Sequence, residues 1–210
     1  MVTTEVLESS ILIAFAVDAV LFALMYAVIW TRKLGGKHLP LRAVISEEDR
    51  HPSLARLQLL IWTFVAIFAF LTVSLTRTFS GVFLSITIPT NILTLIGISA
   101  GSPVVSAGVS RHKYDLMGKK YRTEAGDEGY APLGDILVEN GEFSVTRFQM
   151  LAWTFVAVVI FLAILMETLA HLPANLSTLN LPDVSSTLVI LTGISQGAYL
   201  TGKGASRPSK

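Results

Sequence analysis

Five runs of roughly twenty mostly apolar residues, the length needed to cross a bilayer as a helix, divide this chain. They cover 11–30, 54–76, 88–109, 148–169 and 184–201. The third and fifth are rich in Gly, Ser and Thr, and by periodicity alone they also read as buried helices of a soluble protein. Composition and charge decide between the two. Apolar residues make up 52% of the 210 positions, and mean hydropathy is +0.62. Charged residues are 15%, against about 25% in an average soluble domain. This excess of apolar residues fits helices whose outer faces are solvated by lipid.

The cations are segregated. Of the 16 Lys and Arg, six lie between Trp30 and Ile61, six between Val109 and Phe148, and three after Thr201. Only Arg77 falls in a loop on the other side. That split is a strong positive-inside signal. It predicts both long loops and the C-terminus in the cytoplasm, with the N-terminus and the loops near Ser80 and Asn175 outside. Trp30, Trp62 and Trp153 all fall near predicted cytoplasmic ends, where indole rings favour the interface. The first ten residues carry Glu5 and Glu8 and no basic residue, unlike the n-region of a cleavable signal. The plasma membrane is the expected location. Net charge is +1, which leaves no large basic surface for nucleic acid. The absence of cysteine excludes disulfides and thiol chemistry.

The chain also repeats itself. Residues 53–66 (SLARLQLLIWTFVA) match 144–157 (SVTRFQMLAWTFVA). Later, 95–101 (LIGISAG) matches 191–197 (LTGISQG), each after a proline, Pro89 or Pro182. Residues 41–48 resemble 133–140 in apolar pattern. The expected fold is an all-α integral membrane bundle of about five transmembrane helices. One N-terminal helix (1–33) precedes a two-helix repeat (41–113), a cytoplasmic connector (114–132), a second repeat (133–203) and a tail (204–210). Both units start inside, so they are parallel repeats about an approximate axis along the membrane normal. Ser53 and Ser144 are the expected N-caps of the outgoing helices.

The repeat signature is Arg56, Gln58 and Trp62 in the first unit and Arg147, Gln149 and Trp153 in the second, each followed by Gly-Ile-Ser-x-Gly. This tandem pattern, over residues 41 to 203, resembles a family of uncharacterised prokaryotic multi-pass membrane proteins. The resemblance implies the fold and brings no assigned activity.

Gly97-Ile-Ser-Ala-Gly101 and Gly193-Ile-Ser-Gln-Gly197 fit the Gly-x-Ser-x-Gly of a nucleophile elbow. An elbow needs a preceding strand and a nearby base. Here a helix precedes, and all four histidines lie in predicted loops. Gly97, Gly101, Gly193 and Gly197 also fit the Gly-x-x-x-Gly spacing of close helix packing, the favoured reading. No zinc motif, P-loop or dinucleotide fingerprint occurs, so no enzyme and no cofactor is expected.

Asp18 lies inside the first span, where a carboxylate costs about 2.5–3.5 kcal/mol on insertion scales. It should face protein or water, with Thr94 or Thr192 as a hydrogen-bond donor or as part of an ion path. Ser99, Ser102, Ser106 and Ser110 share one face of the third span, and Thr192, Ser195 and Tyr199 share one face of the fifth. These stripes either make interhelical hydrogen bonds or, with Asp18, line a path for small cations. Arg56 and Arg147, at the mouths of the outgoing helices, either snorkel to lipid phosphates or hold the linkers, with Glu47 or Glu139 as partners. Arg77 and Glu167 occupy near-equivalent outer positions suited to pairing. Lys119, Lys120 and Arg122 sit in a connector that is solvated or touches anionic lipid.

Two functional classes follow. The favoured one is a channel-like or small-transporter subunit passing small ions. The other is a structural or assembly protein that organises partners through its cytoplasmic loops. Lipids, further copies of the chain and a protein partner are the expected contacts.

Overall fold

The computed structural model describes residues 4–34, 37–46, 52–82, 86–117, 132–139 and 142–205. Five α-helices carry the fold: α1 (Thr4–Thr31), α2 (Leu54–Phe79), α3 (Thr90–Met117), α4 (Val145–Ala170) and α5 (Ser186–Ala205). All five expected helices are present, most extended by a few residues. Three of them, α1, α2 and α4, are long and apolar enough to cross a membrane. In α3 only Thr90–Val105 is apolar, because the helix runs on into the charged stretch ending at Met117. The connector from 118 to 131 and the tail from 206 lie outside the described residues, as does Glu47.

Local chemistry sets the helix ends. Ser53 and Ser144 are the N-caps, in extended conformation. Only the Ser144 hydroxyl accepts a hydrogen bond from the first turn, from the Arg147 N–H at 3.4 Å. Helix α2 stops at Gly81, whose φ of +80° suits a residue without Cβ. The N–H of Val82 reaches back to the Arg77 carbonyl and that of Gly81 to the Thr78 carbonyl, a Schellman closure. Pro103 inside α3 has no N–H to offer the Ser99 carbonyl one turn earlier.

Helix α2 packs against α1, α3 and α4, and α5 packs against α3 and α4. The four helices after α1 therefore form a closed bundle in the order α2, α3, α5, α4. Matched helices are neighbours: α2 lies beside α4, and α3 beside α5. Near their starts, Gln58 of α2 bonds to Thr154 of α4. At the other end, Asn91 at the start of α3 bonds to Asp183 and Val184, just before α5. So α2 and α4 run in one direction and α3 and α5 in the other. The core joins Trp62, Val73, Leu95, Phe161, Leu165 and Leu169. Helix α1 lies outside the bundle against α2, with Phe22 on Phe64 at 6.0 Å between ring centroids.

The outer faces are apolar. Leu12, Phe15 and Val28 on α1 and Phe155 on α4 are more than 60% exposed. Water would solvate such faces poorly, and a bilayer would not.

Before α2 and α4 the chain makes the same device twice. A proline, Pro40 or Pro132, opens a short 3-10 helix, Leu41–Val44 or Leu133–Leu137. A tight reversal follows, as the Ser46–Pro52 bridge in one case and the Val138–Glu139 and Glu142–Phe143 strand pair in the other. The N-cap N–H then bonds back, Ser53 to the Ile45 carbonyl and Ser144 to the Leu137 carbonyl. Residues 135–139 are the end of this 3-10 helix and the strand after it.

Candidate functional site

The densest polar arrangement inside the bundle joins α2, α4 and α5. Gln58 is 1% exposed. Its amide nitrogen donates to the Thr154 hydroxyl at 2.6 Å, and its amide oxygen accepts from the Gln196 amide nitrogen. The Thr154 hydroxyl in turn donates to the Met150 carbonyl at 2.8 Å. Trp62 lies one turn further along α2, edge-on to Phe161 at 6.4 Å. On α3 and α5, Ser99, Thr192 and Ser195 are at most 3% exposed, and their hydroxyls have no hydrogen-bond partner. The oxygen of the Gln196 amide is also unpartnered. Each such buried polar atom costs about 1–3 kcal/mol.

The structure therefore divides the two hydroxyl stripes from Asp18. Ser99, Ser102, Thr192, Ser195 and Tyr199 are all buried between helices. Ser102 donates to the Ile98 carbonyl at 2.8 Å. The side chain of Ser106 is outside the described residues. Asp18 is on α1, on the stripe of Ser10, Ala14, Met25 and Ile29 that carries the least exposed residues of that helix. Neither expected donor reaches it. The Thr94 hydroxyl is taken by the Thr90 carbonyl, and that of Thr192 is unpartnered. The physical reason is placement, since α1 packs on α2 while the two threonines sit on α3 and α5.

The glycines also differ from expectation. A Cβ built on Gly97, Gly101 or Gly197 would meet nothing within 4 Å. A Cβ on Gly193 would stand 3.6 Å from the Cδ1 of Ile98, in ordinary van der Waals contact. Within one chain three of the four glycines are thus not at a close helix crossing, because their faces of α3 and α5 point out of the bundle. Ser99 and Ser195 sit within α3 and α5, not at strand-to-helix turns. His38, in the short strand Lys37–His38, stacks on Trp30 at 4.3 Å, and His171 caps the end of α4.

The signature arginines hold the linkers through backbone carbonyls. Arg56 donates to the Ser46 carbonyl, and Arg147 to the Ile136 carbonyl at 3.5 Å. Arg147 also lies over the Tyr199 ring at 5.6 Å. Gln149 is exposed and Trp153 half-buried, unlike Gln58 and Trp62.

A second polar cluster at the opposite end was not anticipated from sequence. Arg77 is 1% exposed and donates to the Leu179 carbonyl at 3.1 Å. Glu167, its expected partner, is exposed one helix away. Asn91 donates to the Asp183 carboxylate at 3.0 Å and to the Val184 carbonyl at 2.8 Å. The Thr87 N–H donates to the Asn180 side chain at 3.3 Å. The α2–α3 and α4–α5 loops are therefore latched together. Thr154 and Gln196 also escaped the sequence reading. The available signal was an amide at position 196, the one carboxamide side chain in α5.

No family model, curated protein or solved structure matches the chain.

Proposed function

We propose that this chain is a five-span plasma-membrane protein, N-terminus outside and C-terminus inside, that acts as an assembly scaffold. In this reading α3 and α5 also cross the bilayer, shielded by the more apolar helices, and the 3-10 segments form an ordered inner platform for a protein partner. The observation that carries it is the burial of the polar cluster. Gln58 bonds to both Thr154 and Gln196, which ties the two hairpins together. Interhelical polar contacts do this in bundles whose surroundings supply no hydrophobic drive between helices. The outer latch around Arg77 and Asn91 does the same at the other end, and Arg56 and Arg147 tether the inner platform.

One observation favours a second reading. The unpartnered hydroxyls of Ser99, Thr192 and Ser195 are the kind of group that lines an ion or water path. In that reading the chain is a channel-like subunit whose closed state is the one described. Purified protein in liposomes separates the two. A scaffold leaves the vesicles tight to small cations across voltage, osmotic stress and pH. A channel passes cations, and Ser102→Leu lowers the flux. Reproducible cation flux sensitive to Ser102 would overturn the scaffold reading.

A further inference from the structure

The contacts between the two hairpins have a direction. Residues of the first unit use one edge, and residues of the second use another. Gln58 bonds to Thr154, Trp62 packs on Phe161, and Ile98 lies beside Gly193, its Cδ1 3.6 Å from where a Cβ would stand. Each of these six residues has a counterpart of identical type in the other unit. Gln149 matches Gln58, and Thr63 matches Thr154. Trp153 matches Trp62, and Phe70 matches Phe161. Ile194 matches Ile98, and Gly97 matches Gly193.

Within one chain these counterparts do not meet one another. Gln149, Thr63 and Gly97 are exposed, Phe70 is 38% exposed and Ile194 62% exposed. A Cβ on Gly97 would meet nothing within 4 Å. Gln149, Trp153 and Ile194 are on the second unit and Thr63, Phe70 and Gly97 on the first. These are the two halves of an interface that the chain already makes once internally.

We propose that a second copy of this chain docks head-to-tail on these edges, repeating the internal interface between molecules. Gln149 of one copy meets Thr63 of the next, Trp153 meets Phe70, and Ile194 enters the notch at Gly97. This rests on the reading of the chain as a membrane scaffold and names its self-contact.

Three further points support it. First, α1 does not block the site. At about 100° per residue, Thr63 and Phe70 lie on a face of α2 between the α4-facing side of Gln58 and Trp62 and the α1-facing side of Phe64. Second, a heterologous contact closes into a ring only if the turn between its two faces suits a whole number of units. The two faces of α2 are about 110° apart by the same helical geometry. That lies between the interior angles of a ring of four hairpins, about 90°, and of six, about 120°, so two or three copies close it. Third, an amide and a glycine notch facing lipid gain nothing there, whereas a matching copy supplies the hydroxyl and the isoleucine.

The test exploits the absence of cysteine. Two differently tagged forms are co-reconstituted in lipid, one carrying only Gln149→Cys and the other only Thr63→Cys, and treated with a short bifunctional maleimide. A covalent species containing both tags is expected, and each form alone should give none. Ile194→Cys with Gly97→Cys should behave the same way. Thr63→Trp, which adds bulk at a position already exposed in the single copy, should shift the mass in nanodiscs to one copy. Flotation with vesicles after alkaline carbonate reports membrane integration independently. Vesicle-bound protein that remains a single copy overturns the head-to-tail contact and leaves the membrane reading standing. Cross-linking of the Gln149→Cys form to itself also overturns it, because that contact is symmetric. Failure to float overturns both.

Discussion

Gln58→Leu removes the centre of the inner polar chain, and its cost can be worked from the geometry. The wild-type amide donates to Thr154 and accepts from Gln196. Interhelical hydrogen bonds in membranes average about 0.6 kcal/mol, so losing both costs about 1.2 kcal/mol. The Thr154 hydroxyl keeps the Met150 carbonyl as its acceptor. Gln196 has no such alternative, and its amide nitrogen becomes a buried donor without a partner, at about 1–3 kcal/mol. The single variant is therefore expected to be destabilised by roughly 2–4 kcal/mol. Gln196→Leu in the same background removes the orphan. The double variant should recover most of that loss and sit ~1 kcal/mol below wild type, so the two losses are less than additive. The assay is reversible unfolding of the four-member mutant cycle in mixed detergent micelles, followed by tryptophan fluorescence. Trp62 packs against Phe161 one turn away and reports on the same region. Additive losses, with the double variant as unstable as the sum of the singles, would refute the reasoning, because they would mean that the two glutamines do not share a bond.

Three other predictions are independent of it. Single cysteines at Thr4, Ser80 and Asn175 should react with an impermeant thiol reagent added outside intact cells, and one at Lys119 should not; outside labelling of Lys119→Cys would overturn the orientation. Gly193→Leu should cost about 1–3 kcal/mol in detergent, because the new side chain meets Ile98, while Gly97→Leu should leave the unfolding of a single copy unchanged and abolish self-association; equal thermal shifts in both would count against the structure. Arg56→Ala and Arg147→Ala should each loosen only their own linker, seen as faster amide exchange over residues 41–46 and 133–139 respectively, and a change at the distant linker would contradict the local tether.

How much was legible in the sequence differs by level. The five helices, their order and both serine N-caps follow from apolar run length and from residue types whose conformational preferences are local. The arginine tethers were half legible. Their position ahead of a linker was visible, but the acceptors are main-chain carbonyls, which no side-chain pattern announces. The expected partners of Asp18 and of Arg77 were misplaced because depth along a helix tells neither which helix is the neighbour nor which face a residue turns to it. Thr94 and Thr192 sit on α3 and α5 while α1 packs on α2, and Glu167 is on α4 beside α2 but is exposed.

The sequence alone determined that two units of nearly the same residues would form two hairpins of the same direction. Only the tertiary structure decided which copy of each residue is buried. Gln58 and Gln149 sit in matching surroundings of Arg, Leu or Met, and Trp-Thr, so any local rule treats them alike. Yet one is 1% exposed and bonded on both sides, and the other is on the surface. The same split separates Trp62 from Trp153, Thr154 from Thr63 and Gly193 from Gly97. The reason is geometric. Two units laid side by side share one interface, so the first unit uses one of its edges, the second uses the opposite one, and identical residues on the unused edges are left facing outwards.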